Sequence, residues 1–234
     1  MRVLEAVTDI GFCVVGTLVD GFSTNVKFYK NELGHGQMPL FIPHPFNDSE
    51  KIYLLFDSVH LFKCFYTNFL NKKEFACPSI KDLSKTIHPK FSHLREVANL
   101  ELGMAIKFAP RLNDKSLAPM PIERSNVQLA NNIFHESTIA ALVHYAADYP
   151  AFLETAEFLR TIQTWFDIWN VRTPVAGIQK RDLNKATFTL DNPHHMEFFR
   201  EFSAWLDVWR ETSPKDLALS AETFCTSHQT TLAL

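Results

Sequence analysis

The hydrophobic period of this chain changes near Pro78, and that change divides what the chain can fold into. Before it, two short apolar runs each end in an aspartate. Phe12–Val19 reads FCVVGTLV and stops at Asp20-Gly21, and Lys51–Phe56 reads KIYLLF and stops at Asp57. Short continuous apolar runs with β-branched residues suit strands buried on both faces, as in a parallel sheet. A helix is expected after each: STNVKFYKNEL from Ser23, closed by Gly34 and Gly36, and HLFKCFYTNFLNKK after Asp57. Residues 37–50 hold three prolines and read as a loop. The order strand, turn, helix, strand, helix is that of an α/β fold.

Beyond Pro78, apolar residues recur at helical spacing over 91–109, 122–147, 150–170 and 194–212. LNDKSLAPMP at 112–121 and Asp148-Tyr149-Pro150 break this pattern, and Pro150 suits the first turn of a helix. Residues 173–193 are polar and irregular, with a short strand expected at ATFTL (186–190). Another helix is expected to begin near Ser213-Pro214. The fold class is therefore α/β plus all-α.

Composition excludes several function classes. Seven glycines leave little room for a phosphate-cradling loop, and neither GxxxxGK[ST] nor GxGxxG occurs. A net charge of -3 argues against a strongly basic nucleic-acid-coating protein, although not against a local basic groove. The stretch 71–95, with Lys72, Lys73, Lys81, Lys85, Lys90 and Arg95, could follow a phosphate backbone or be a solvated linker. Four scattered cysteines form no CxxC pair, and Cys13 and Cys64 lie in apolar runs, as buried thiols of a reduced intracellular protein do. The histidines show no HExxH or HxH-type spacing for zinc. No apolar run is long enough to cross a bilayer, and no signal peptide is expected.

Three groups of residues could carry chemistry. Asp20, at the carboxyl end of the first strand, either lies where α/β folds place ligands or makes the turn with Gly21. Asp57 ends the second strand, and His60, Lys63 and Asn68 fall at helical offsets on roughly one polar stripe, while Leu61, Phe62, Phe65 and Phe69 face a core. Asp57 and His60 could bind a metal or orient each other, or Asp57 or Ser58 could cap the helix with His60 a hydrogen-bonded core residue. In TWFDIWN (164–170), Trp165 and Trp169 read as core, as do Trp205 and Trp209. Asp167 and Asn170 are harder to place there. An exposed Asp can accept two hydrogen bonds from a guanine edge while the neighbouring Phe166 stacks on the base.

FDSVHLFKCFYTNFLN resembles the D-x-x-H-hydrophobic-x-K signature, with its later Asn, of P-element-type transposases, which include THAP-domain-bearing relatives. The resemblance continues in order. VVGTLVDGFSTNVKFY is similar to the family's strand-Asp-Gly segment, and KFAPRLNDKSLAP to the opening of its GTP-binding insertion. RSNVQLANNIFHESTIAAL and TAEFLRTIQTWFDIWNVR resemble later helices of that insertion, and TFCTSHQTTLAL the start of the next segment.

This resemblance implies a partial ribonuclease-H-like α/β core over 1–75, a mostly helical GTP-binding insertion over 76–212 and a following segment over 213–234. It implies Asp20 as a catalytic, Mg²⁺-coordinating carboxylate, with Asp57 as the alternative, and His60, Lys63 and Asn68 as motif residues. It implies GTP held by Arg111, Val127, Phe166, Asp167 and Asn170, with Arg111 standing where relatives carry Lys. DNA is the implied partner of the full-length family, homo-oligomers are an open expectation, and the nucleus is the implied location. The family's first catalytic Asp lies upstream of residue 1 and its final Glu in a D-x-x-E segment after the insertion. The chain alone is therefore expected not to cut or join DNA. The alternative is a non-enzymatic module that binds a guanine nucleotide or a protein partner.

Overall fold

A computed structural model describes residues 2–189 and 193–233. The first elements are α1 (Arg2–Asp9), β1 (Gly16–Val19), α2 (Ser23–Lys27), β2 (Phe41–His44), β3 (Asn47–Phe56) and α3 (Ser58–Lys72). They are followed by β4 (Cys77–Ser79), β5 (Asp82–Ile87), α4 (Phe91–Leu100), α5 (Asp114–Leu117), α6 (Val127–Ile133) and α7 (Glu136–Tyr145). The last are α8 (Phe152–Trp169), α9 (Ala176–Lys180), α10 (Pro193–Thr212) and α11 (Ala221–Leu232). The chain forms two units: residues up to Leu61 join those from Cys225 onward, and Phe62–Phe224 form the other.

The first unit is built on a three-stranded sheet of order β1-β3-β2. β1 and β3 run parallel, from Gly16 opposite Tyr53 to Val19 opposite Phe56. The connection between them carries α2, a π-helical turn at Phe28–Leu33 and β2. A Cβ at residue 16 would lie 3.2 Å from the Tyr53 carbonyl, so glycine lets the two backbones approach here. Ile52, Leu54 and Phe56 are buried along one face of β3. The Tyr29 ring packs on Phe56 at 5.3 Å, and its hydroxyl meets that of Thr17 at 2.8 Å. The end of α11 supplies polar ties. The Gln229 amide donates to the carbonyls of Pro39 (2.6 Å) and Leu54 (3.2 Å), and the Thr230 hydroxyl accepts the Phe56 N–H at 3.0 Å.

Three expectations change here. FCVVGTLV is not a doubly buried strand: only Gly16–Val19 pairs, Leu18 is 64% exposed and Cys13 is exposed too. β1 has a single strand neighbour among the described residues, which cannot cover all of its side chains. KIYLLF likewise buries one alternating set, leaving Tyr53 exposed. Residues 37–50 are not all loop, because β2 pairs antiparallel with β3. Pro43 sits within β2, and an outer strand tolerates the missing donor.

The second unit is helical around a core of rings. Phe69 packs on Phe75 (5.3 Å) and Phe158 (5.1 Å), Trp165 on Phe202 (5.8 Å), and Trp205 on Trp209 (4.8 Å). Leu61, Phe62, Phe65 and Phe69 are all buried, as the stripe on α3 predicts. The helix expected over 91–109 stops at Leu100. The buried Glu101 carboxylate then accepts the N–H groups of Phe108 (3.1 Å) and Ala109 (3.0 Å), folding the chain back. The segment 122–147 divides into a 3₁₀ turn at Pro121–Ser125, α6 and α7. Asn126 and His135 each cap the helix that follows. The β4–β5 hairpin escapes the sequence pattern, because Pro78 interrupts one strand and charges occupy the other. The Pro78 carbonyl still finds a partner in the Trp205 indole N–H at 2.7 Å. Ala186–Thr189 forms no strand, and Leu190 lies outside the described residues. Cys64 is half-buried rather than buried; its thiol is pushed up to about 11 by burial and Glu222.

Candidate functional site

Two places gather the residues singled out by the sequence. The first is the carboxyl edge of the sheet. Val19 and Phe56 are paired, so the next residues, Asp20 and Asp57, leave adjacent parallel strands side by side. Asp20 closes the turn before α2, whereas Asp57 caps the first turn of α3. Asp20 Oδ1 accepts the Phe22 N–H (3.1 Å) and the Asn25 amide (2.7 Å). Asp57 accepts the N–H groups of Val59 (3.0 Å) and His60 (3.3 Å). The His60 ring lies over Gly21, where a Cβ would come within 3.0 Å of it. Asp20, Asp57 and His60 thus lie along one edge of the sheet without converging into a ligand cluster among the described residues. Asn68 is engaged elsewhere: it donates to Thr223 Oγ1 (3.2 Å) and accepts the Ser220 N–H (2.9 Å), tying α3 to the start of α11. Lys63 is half-buried on α3. No group of three or more His, Cys, Asp or Glu side chains forms a metal-ligand set among the described residues.

The second place is a polar pocket of about 490 Å³ within the helical unit. Its walls come from distant segments: Arg111 before α5, Asn131 on α6, and His135 and Glu136 at the start of α7. Gln163 and Asp167 from α8 form another wall, and Lys180 and Arg181 at the end of α9, with Asp182 and Lys185 beyond it, close it. The last turn of α8 directs Asp167 inward. Burial raises the Asp167 pKa above the usual carboxylate range, and Lys185 pulls against that rise. Lys185 Nζ stands 3.3 Å from Asp167, 3.1 Å from Asp182 and 3.8 Å from Glu136. Burial works against the Lys185 ammonium, but its acidic neighbours outweigh burial and hold its pKa above normal.

His135 Nδ1 accepts the Ser137 N–H at 3.1 Å, which fixes that nitrogen as unprotonated. Burial, and after it the Arg111 charge, lowers the His135 pKa, so the ring contributes a neutral wall. Arg181 sits at φ 52°, the left-handed region that a non-glycine residue adopts at some cost.

The structure places the implied nucleotide residues unequally. Arg111 and Asp167 line the pocket; Val127, Phe166 and Asn170 are not among its lining residues. Val127 opens α6. Phe166 is buried, its ring stacked on Phe62. Asn170 closes α8, its N–H bonded to the Phe166 carbonyl at 2.8 Å. Sequence reasoning missed His135, Lys180, Arg181, Asp182 and Lys185. For the last four the only signal is the charge run KRDLNK (180–185), inside a stretch that reads as irregular.

In the basic stretch, Lys72 is bonded to the Lys215 carbonyl (2.6 Å), Lys90 pairs with Glu74 (3.6 Å) and Arg95 donates to the Leu117 carbonyl (3.3 Å). Half of those cations therefore have partners within the chain.

Comparison with known proteins gives this geometry a context. The family described as TNP-like, GTP-binding insertion domain matches residues 59–182, over half of the chain. The transposable element P transposase of Drosophila melanogaster is 28% identical over 163 residues, covering 68% of this chain and 20% of that protein. The human DNA transposase THAP9 is 29% identical over 192 residues, covering 79% of this chain and 20% of that protein. The chain thus spans about a fifth of the length of these relatives. A chain of the Drosophila P element transposase strand transfer complex superposes with a TM-score of 0.81 at 18% identity, covering 99% of this chain and 50% of that one. At that identity the likeness establishes the fold, and the α/β plus all-α reading stands. The matched span holds Arg111, His135, Asp167 and Asp182, with Lys185 just beyond it, and the chain belongs to the TNP-like, GTP-binding insertion domain family.

Proposed function

We propose that the helical unit binds a guanine nucleotide in the 490 Å³ pocket, as the insertion of a P-element-type transposase. One observation carries this reading: a half-buried carboxylate, Asp167, shares a polar cavity with Arg111, Lys180, Arg181 and Lys185. A cavity of this size suits a nucleotide, because small-molecule pockets run from about 300 to about 1,000 Å³. An ionised Asp is an acceptor-only group that matches the two adjacent donors on a guanine edge. The cations supply the charge that phosphates require, replacing a glycine-rich loop. When bound, the nucleotide would supply the negative charge that balances this wall. Arg111 and Asp167 contact it, while Phe166 and Asn170 hold the end of α8 and Val127 the start of α6. Titration of labelled GTP against the chain and Asp167→Ala tests this. The parent should bind, and the variant should bind about tenfold or more weakly, with ATP a poor competitor. A parent that fails to bind, or a variant that binds equally, sinks it.

We further read residues 1–75 as part of a ribonuclease-H-like transposase core, 76–212 as the insertion and 213–234 as the start of the next segment. In that reading Asp20, with Asp57 as the alternative, is the carboxylate offered to Mg²⁺ for phosphoryl transfer on DNA, in a nuclear protein that could assemble as a homo-oligomer. Both carboxylates already accept hydrogen bonds, and no third ligand joins them among the described residues. These residues alone do not fit an Mg²⁺ site, which needs more oxygen ligands than two engaged carboxylates supply. A non-enzymatic protein-interaction role is a second reading, favoured by the exposed Leu102, Ile106 and Ile122.

A further inference from the structure

For the pocket to hold a guanine base through Asp167, that carboxyl has to stay ionised. Protonation would put an O–H where a guanine edge offers N–H groups, setting donor against donor. Burial pushes the carboxyl toward that form. The charged and titratable groups around it come from every wall. Arg111 precedes α5, His135 and Glu136 open α7, Lys180 and Arg181 end α9, and Asp182 and Lys185 follow. Glu136 and Asp182 oppose ionisation of Asp167, and His135 is held neutral. Lys185 is the cation within ion-pairing distance of Asp167 among the described residues. Its ammonium also meets Asp182 and Glu136, so three acidic side chains from three segments share one charge.

We propose that Lys185 is a positioning residue for base recognition: resting on the nucleotide reading, it holds Asp167 ionised and aimed, and so sets both guanine selectivity and the pH range of binding. Two features support this. The ion pair lies on Asp167 Oδ2, at a side chain only a fifth to a quarter exposed, where a charge pair is weakly screened. Lys185 also neutralises Asp182 and Glu136, which would otherwise repel Asp167 and the phosphates alike.

The test uses the full chain with Lys185→Met and Lys185→Arg, after a thermal melt confirms folding. GTP, ITP and ATP affinities are measured between about pH 5.5 and about pH 8, and the Asp167 carboxyl is titrated by NMR without nucleotide. Lys185→Met should bind GTP about tenfold more weakly at neutral pH, lose further affinity as pH falls, and discriminate less against ATP. Its Asp167 carboxyl should titrate at higher pH than in the parent, and Lys185→Arg should recover most of the difference. Parent binding with an indifferent Lys185→Met overturns this inference alone. Equal losses in both variants with an unmoved Asp167 titration also overturn it, leaving a merely structural Lys185. A parent that binds no GTP overturns the nucleotide reading and the selectivity role with it.

Discussion

The rings of Phe62 and Phe166 lie face to face, 3.9 Å between centroids and 8° from parallel. Phe134 packs against the same Phe62 at 5.1 Å. This stack joins α3 to the last turn of α8, so the residue beside it, Asp167, takes its position from a packed pair rather than from a free helix end. Phe62→Ala and Phe166→Ala should each cost about 3–5 kcal/mol, as buried aromatic truncations do. Urea unfolding of the full chain measures this. A loss under about 1 kcal/mol in either variant would show that the stack does not support the site.

Asp167→Asn should exchange base preference rather than abolish binding. The amide offers a donor where the carboxylate has only acceptors, which suits the carbonyl that xanthine has in place of the guanine amine. GTP affinity should fall about 10–100-fold while XTP affinity rises, the range expected for charge-assisted hydrogen bonds. Competition titrations with both nucleotides decide it, and a parallel loss of both would contradict the assigned role.

Acid should destabilise the helical unit before it reaches the carboxylates. His93 is buried, and its Nδ1 meets the Thr155 hydroxyl at 2.7 Å. That hydroxyl also accepts the Lys90 N–H at 3.0 Å, so the imidazole sits in a buried, hydrogen-bonded site that disfavours its charged form. Burial lowers the His93 pKa from 6.5, and His135 is lowered in the same direction. A depressed His pKa means that the unfolded chain binds the proton first. Stability should therefore hold above pH 6.5 and fall as pH drops from 6.5 toward the depressed folded values. Melting temperatures taken down that range should show the decline, and His93→Asn should flatten part of it.

The sheet unit has its own sensitive point. Thr230→Val removes the hydroxyl that accepts the Phe56 N–H and should cost about 1–3 kcal/mol, because a buried donor loses its partner. Hydrogen exchange at Ile52–Phe56 should accelerate while the helical unit's core amides stay protected. Unchanged exchange in β3 would mean that α11 does not secure the strand.

Much of this architecture is legible locally. Leu61, Phe62, Phe65 and Phe69 recur at a helix period, and each apolar run ends at an aspartate where β1 or β3 ends. Those signals survive because they arise within one element. The errors follow from tertiary context. Burial of Phe12–Val19 depends on strand neighbours that its own sequence does not encode, so Cys13 and Leu18 face solvent. β4–β5 was hidden because Pro78 reads as a breaker, whereas a hairpin edge accommodates it. The pocket is the hardest case: Asp167 is visible in its motif, but Lys185 gains meaning only when the turn after α9 folds onto α8.

The sheet unit is discontinuous along the chain, and this sets an order of events during translation. The Gln229 amide that ties down the Leu54 carbonyl lies 175 residues later in the chain. At about 5–20 residues per second, a ribosome needs roughly 9 to 35 s to cover that separation. Through that interval β3 lacks its ties to α11, while all of Phe62–Phe224 is synthesised and free to collapse around its own aromatic core. The inserted unit can therefore mature first, and the strands that precede it must stay soluble until the last helix arrives.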